Sequence, residues 1–432
     1  MPFVLVVFAL LVVASGSAHA ATARPAMPRH AWLESATTSS ATIRWTKVPG
    51  ATSYELRSGG RRIGAVRSRY SRAIVRGLRP AMFSNLQVVA RRGARASVPS
   101  DPIPAVTRAS TSCTRYASSS SGSDRANGTK DAPWRTLSHL VDALGPGDVG
   151  CVSGSFVEDV TIRRGGTATQ PVTLRSLPGT RANLRGRLWV AKGADFVVVS
   201  SMRLDGRAIY DTSRDSLPSP TVNARGTVLI DNDISNAGTR VCVVLGSIRG
   251  YGAAIIPTLA YNRIHDCGRR GANTHHGIYM ESTRSARIAY NAIFDNADRG
   301  IQLYPDAQRS MIVGNLIDGN GEGIIFSGAE GRASSRNLVL RNVISGSQLR
   351  SNVEHYWEQG PRQVGSRNIV ARNCLGGARE GNFATPIVGY AARGNSTGAL
   401  RFRDRSGDDL RLVAGSGCRS WLLSRMLPLA PR

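Results

Sequence analysis

Lysine is almost missing from this chain: Lys47, Lys130 and Lys192 are the only three. With none after residue 192, no lysine base or Schiff-base amine can operate in the C-terminal half. Aromatic residues supply 6% of the sequence beside 46 glycines, a balance that argues against a helical bundle and for a turn-rich β protein. The apolar run Phe3 to Val13 is too short to span a bilayer, and no later stretch is long and apolar enough to anchor the chain. Acidic residues are also scarce. Against 56 Lys and Arg there are 29 Asp and Glu, a formal charge of +27. That surplus favours polyanions such as uronic-acid polysaccharides, teichoic acids or nucleic acid, although arginine in such excess over lysine is also what a GC-rich genome produces.

The apolar run ends at Ala18-His19-Ala20, so residues 1–20 read as a signal peptide with a small-residue cleavage site, without the usual preceding Lys or Arg. The mature chain is therefore expected to be secreted, with no membrane anchor. Six cysteines in an exported chain favour three disulfides, and the sequence leaves their pairing open. Pairing neighbours, Cys113 with Cys151, Cys242 with Cys267 and Cys374 with Cys418, would staple the start, middle and end of one elongated domain.

Residues 27–108 alternate apolar and polar positions at Ala41–Trp45, Ser53–Arg57 and Asn85–Ala90, with turn signals at Pro49-Gly50, Gly59-Gly60 and Arg79-Pro80. Short strands in a β-sandwich follow. With Trp45, Tyr54 and Gly77-Leu78-Arg79-Pro80, the segment resembles a fibronectin type III domain, which implies a spacer or binding module. Its arginines, Arg61, Arg62, Arg91 and Arg92 among them, would form a basic face. Residues 109–130, with a serine run at 118–123, read as a linker. From Trp134 the apolar Leu137, Leu140, Val141 and Leu144 share one helical face, with Asp131 and Pro133 as start signals and Gly145-Pro146-Gly147 as the stop. This entrance resembles that of right-handed parallel β-helix proteins, where such a helix plugs the open end of the coil.

Six copies of one unit follow, centred on Asn232, Asn262, Asn291, Asn315, Asn342 and Asn373 and flanked by apolar residues. Successive asparagines are 30, 29, 24, 27 and 31 residues apart, each about one turn of a three-sided coil. Asparagine suits a sharp turn because it tolerates left-handed geometry, and stacked amides can bond one another as a ladder. A second register, Gly277-Ile278, Gly300-Ile301 and Gly323-Ile324, repeats every 23 residues. The expected fold is all-β, with a right-handed parallel β-helix over residues 131–420 behind the sandwich.

In that register His276, Arg299 and Glu322 stack beside the outward residues Tyr279, Glu281, Gln302 and Tyr304, with His275, Asp298 and Asp306 close by. Base, cation, acid and phenol on adjacent rungs are what a carbohydrate-processing groove needs. Tyr356-Trp357 reads as a sugar-stacking platform or a lid, and Asp231 and Asp233 are candidate Ca²⁺ ligands. No cofactor is otherwise called for. The block Asn262–Gly268, His276–Tyr279, Asp295–Asp306 and Gly319–Gly328, with the tail Asp409–Cys418, is similar to exported actinobacterial right-handed β-helix proteins, a resemblance that implies a fold and no reaction.

More distantly, the coil resembles pectate lyases, alginate lyases and mannuronan epimerases. That resemblance implies β-elimination or epimerisation of an acidic polysaccharide, with His276 as base, Arg299 neutralising the uronate and Tyr279 or Tyr304 as proton donor. His275, Glu281, Asp298, Gln302, Asp306, Glu322 and Trp357 would bind substrate. The polygalacturonase G-H-G and R-I-K motifs are absent, so a hydrolase is the weaker expectation, and the chain departs from the epimerases in lacking their D-P-H motif. The alternative is a non-catalytic β-helix binding an extracellular glycan or another polyanion. Either way the chain is expected to be monomeric and to recognise no specific nucleic acid.

Overall fold

The computed structural model describes residues 23–207, 218–358, 360–419 and 425–431. The signal-peptide expectation lies outside them. The chain divides into two compact units, Met1–Ala31 with Ile43–Ala73 and Asn85–Ile103, and Trp32–Thr42 with Ile74–Ser84 and Pro104–Arg432. Over Trp32–Val106 the strands form a three-stranded sheet and a five-stranded sheet, which fits a β-sandwich. Within the first unit the Trp45 and Tyr54 rings meet edge-on at 5.1 Å, and Tyr54 Oη accepts the Val48 amide at 2.7 Å.

The second unit carries the β-helix. Short parallel strands stack into three faces, the first running from Arg115–Ser118 to Tyr390–Arg393. The second runs from Ser155–Val157 to Ser396–Thr397, and the third from Val160–Ile162 to Val353–Trp357. The coil thus begins at Arg115, inside the stretch read as linker. One apolar cluster fills it, from Leu137 through Leu229, Ile288 and Ile317 to Val370 and Tyr390. The helix spans Leu137–Ala143, starting later than Trp134 because Asp124 holds the Arg135 and Thr136 amides in a loop. Thr136 caps it, the Glu158 carboxylate accepts the Leu137 and Ser138 amides, and Leu140 and Leu144 lie over Gly150, where a Cβ would come within 3.0 and 3.1 Å of them.

The asparagine ladder exists and is longer than the repeat suggested. From Asn262 onward each Oδ1 accepts both the backbone N–H and the Nδ2 of the asparagine one rung earlier, as Asn315 does from Asn291 at 2.9 Å each. Each Nδ2 also donates to a carbonyl of the earlier rung, as from Asn315 to Ile288. The series runs through Asn373 to a seventh member, Asn395. Asparagine does not itself take the left-handed turn. The residue before it does: Asp231, Tyr261, Tyr290, Gly314, Arg341, Arg372 and Gly394 all have φ between 52° and 71°. That turn throws the asparagine side chain inward, where its amide meets the buried backbone groups of the bend. Shorter ladders, Asn296 to Asn320 and Asn337 to Asn368, mark the other two corners.

All three disulfides join neighbouring cysteines, 113 with 151, 242 with 267 and 374 with 418, and they point to an exported protein. The last one pins a C-terminal strap. Leu410, Cys418, Leu400, Phe402 and Leu429 cover the outward Ala292, Phe294, Leu316 and Val343 of the second face. No helix among the described residues is long and apolar enough to cross a membrane.

Candidate functional site

The third face stacks as the 23-residue register implies, with Ile278, Ile301, Ile324 and Val353 in line inside the coil. Gly300 is required there: a Cβ would sit 2.9 Å from the Gly323 carbonyl and 3.0 Å from Asn320. Tyr279, Gln302, Ile325 and Glu354 form the matching outward row. Pairing slips at Glu281, which faces both Tyr304 and Pro305. This β-bulge turns the rung outward where the aromatic residues lie.

His276, Arg299 and Glu322 are brought together, but inside the wall of the coil. Arg299 is 6% exposed and Glu322 2%. The guanidinium donates to Glu322 Oε2 at 3.0 Å, Asp298 Oδ2 at 2.6 Å and the Asn273 carbonyl at 3.0 Å. Arg350 approaches the other Glu322 oxygen at 3.5 Å. His276 Nδ1 lies 3.1 Å from Asp298 without meeting hydrogen-bond geometry. Burial depresses the His276 pKa against the pull of Asp298, so the ring is neutral at pH 7. Burial likewise raises the Glu322 pKa, opposed by Arg299. The set is a closed charge network binding three loops, and Arg299 has little left to offer a substrate carboxylate.

His275 closes its loop by accepting the Arg269 amide at 3.0 Å. Asp306 is occupied by Arg284 at 2.6 Å and by Gln308 at 2.9 Å. Trp357 turns against the core, donating to the Val388 carbonyl at 3.2 Å, and so belongs to the closure of the C-terminal rungs. Of the two suggested calcium ligands, Asp233 pairs with His265 and Asp231 lies 3.6 Å from Arg108.

What remains open to solvent is an aromatic and acidic surface. The Tyr279 and Tyr304 rings stack at 6.3 Å with 22° between planes, both half-buried, and Tyr356 is exposed one rung beyond the Ser327 row. Glu281 accepts the Ile248 amide at 3.3 Å, and its pKa is raised by burial. Tyr304 is harder to ionise through burial and the fields of Glu358, Glu330 and Glu281. Tyr279 is shifted the same way by burial, Glu281 and Tyr304, with Arg249 the opposing cation. Arg249, Glu330 and Glu358 sit on loops outside the repeat, so no spacing rule could place them.

The repeat carries a third histidine outside that register. His265 projects from the second face between Asp233 at 3.1 Å and Asp266 at 2.7 Å, stacked on Phe294 at 4.9 Å. Burial alone would lower its pKa, but the two carboxylates outweigh it and raise it to about 9. The signal was its outward position two residues before Cys267. A groove of 860 Å³ runs nearby, along the corner after the second face. Much of its charged lining is already paired: Arg207 with Asp205, Asp266 with His265, and Asp295 with Arg405.

A family model described as periplasmic copper-binding protein (NosD) matches residues 222–383, less than half of the chain. The described residues do not fit copper. All six cysteines are in disulfides, and no group of three or more His, Cys, Asp or Glu side chains is placed to hold a metal ion. No curated protein sequence matches the chain. Among solved structures, XylC in complex with xylose is similar at 11% identity, covering 62% of this chain and 69% of that one, with a TM-score of 0.45. The GH136 lacto-N-biosidase from Eubacterium ramulus is similar at 11% identity over 66% of this chain and 67% of that one, TM-score 0.38. FN3tt aligns at 20% identity with 20% of this chain and 97% of its own, TM-score 0.18.

Proposed function

We propose that this protein is an exported carbohydrate-binding β-helix that holds a glycan on the outer side of its third face. The observation that carries the reading is the Tyr279–Tyr304 stack, two half-open rings on consecutive rungs with Glu281 beside them. Such rings offer apolar area to the faces of pyranose units, and Glu281 and Gln302 offer hydrogen-bond partners to hydroxyls. Three carboxylates, Glu281, Glu330 and Glu358, act on this surface. Their field favours neutral or amino sugars over uronates. Elimination on an acidic polysaccharide is the second reading, favoured by the raised pKa of Glu281 next to a tyrosine, a pairing suited to proton transfer.

Glycan-array binding at physiological salt tests the first reading. Wild-type protein is expected to retain neutral or amino-sugar oligosaccharides, and Tyr279→Ala/Tyr304→Ala to lose at least tenfold in affinity. Unchanged binding in the double variant refutes it. Ultraviolet-absorbing unsaturated product from polygalacturonate or alginate, abolished by Glu281→Gln, would replace binding by elimination.

A further inference from the structure

A dense run of positive charge lies outside the face just described. From Leu56 to Ser100 the sequence contains eleven arginines and not one Asp or Glu. In the first unit Glu55 is engaged by Arg57 at 2.6 Å and by Arg91 at 2.5 Å. The strand Arg61–Arg67 lies at the edge of the five-stranded sheet. Arg61, Arg62 and Arg67 are exposed on it, and their guanidinium groups make no ion pair or hydrogen bond among the described residues. Arg69 follows in the turn, its guanidinium 4.8 Å above the exposed Tyr70 ring.

We infer that this edge is a docking surface for a linear polysaccharide bearing carboxylates. A charge or two on an edge strand is ordinary protection against strand pairing. That need does not call for four arginines in nine residues, nor for the exclusion of every carboxylate from the surrounding 45 residues. Concentrating one sign of charge costs self-repulsion, which an anionic polymer relieves. The planar guanidinium matches a carboxylate with two parallel hydrogen bonds. The strand pairs irregularly between Arg62 and Gly64, so Arg61 and Arg67 lie at most about 20 Å apart at ~3.3 Å per residue, a span of several sugar units. Single-stranded nucleic acid suits the surface less well, because Tyr70, the ring available for base stacking, already carries Arg69. This inference is independent of the reading of the third face.

The test uses the full-length protein, with polygalacturonate as probe and affinity measured across a salt series. Arg61→Gln/Arg62→Gln/Arg67→Gln/Arg69→Gln is expected to weaken binding at least tenfold at low salt and to flatten the salt dependence. Arg163→Gln/Arg309→Gln/Arg336→Gln/Arg379→Gln, an equal change of net charge on exposed coil residues, is expected to leave affinity within twofold. Equal losses in the two variants, or unchanged binding in the first, overturn the proposal. So does duplex DNA binding more tightly than polygalacturonate of equal charge. Tyr279→Ala/Tyr304→Ala should keep full polygalacturonate affinity, which separates this surface from the third face. Circular dichroism and an unchanged unfolding midpoint show that each variant is folded.

Discussion

Truncating one asparagine in the middle of the ladder should cost more than its size suggests. Asn315 is fully buried and makes four side-chain hydrogen bonds: it accepts the N–H and Nδ2 of Asn291 and donates to the Ile288 carbonyl and to Asn342 Oδ1, all at 2.9 Å. In Asn315→Ala, Asn342 Oδ1 keeps the Asn315 backbone N–H, and Asn291 Nδ2 keeps the Leu259 and Ala289 carbonyls. The Asn291 backbone N–H loses its partner in a dry interior. Three bonds at about 1 kcal/mol each, with the fourth counted as an orphaned buried donor at ~1–3 kcal/mol, give a loss of about 4–6 kcal/mol. Asn395→Ala removes three bonds at the half-buried last member, where water can substitute, so about 1–2 kcal/mol is expected there. Urea unfolding measures both, and native-state hydrogen exchange of the Asn291 amide localises the first. A loss under about 1 kcal/mol for Asn315→Ala, or equal losses at the two sites, would refute the ladder as a structural spine.

Other outcomes follow from the buried charges and the strap. His265 has its pKa raised from 6.5 to about 9, so its stabilising effect is complete below pH 6.5 and disappears as pH rises through 9. About 3 kcal/mol is at stake, and a stability profile over pH 6 to 10 that is the same in wild type and His265→Gln would contradict this. Arg299→Met strands Asp298 without its cation, leaves Glu322 only the more distant Arg350, and should cost about 3–5 kcal/mol in urea unfolding, part of it recovered by adding Glu322→Gln. Replacing Cys374 and Cys418 by serine opens a link of sequence separation 44, worth about 4 kcal/mol on loop entropy. Hydrogen exchange should then accelerate first in Ala292–Phe294 and Leu316–Asp318, beneath the strap, and uniform acceleration along the coil would argue against that assignment.

The coil was legible because its determinants are local and repeated. An asparagine flanked by apolar residues at intervals near 27 gives the rung, and the Gly-Ile steps give the register that sets Arg299 opposite Glu322. The sequence left the cysteine pairing open, and of the arrangements it allowed the structure contains the one that joins neighbours. Which residue bends the chain was not legible in the same way. The left-handed position holds Asp, Tyr, Gly or Arg in turn, so its composition carries no signature.

The sequence by itself determined a β-helix, its corners and which side chains share a face, since strand alternation and rung length depend only on neighbours along the chain. Tertiary structure alone decided which of those side chains meet solvent. His276, Arg299 and Glu322 are sealed by loops of adjacent rungs, the rungs of the second face from Ala292 to Cys374 are covered by a C-terminal strap, and Tyr279 and Tyr304 stay open. The physical reason is desolvation. Whether a charge is a tool or a brace depends on how much water reaches it, and that is set by segments distant in sequence whose lengths follow no repeat.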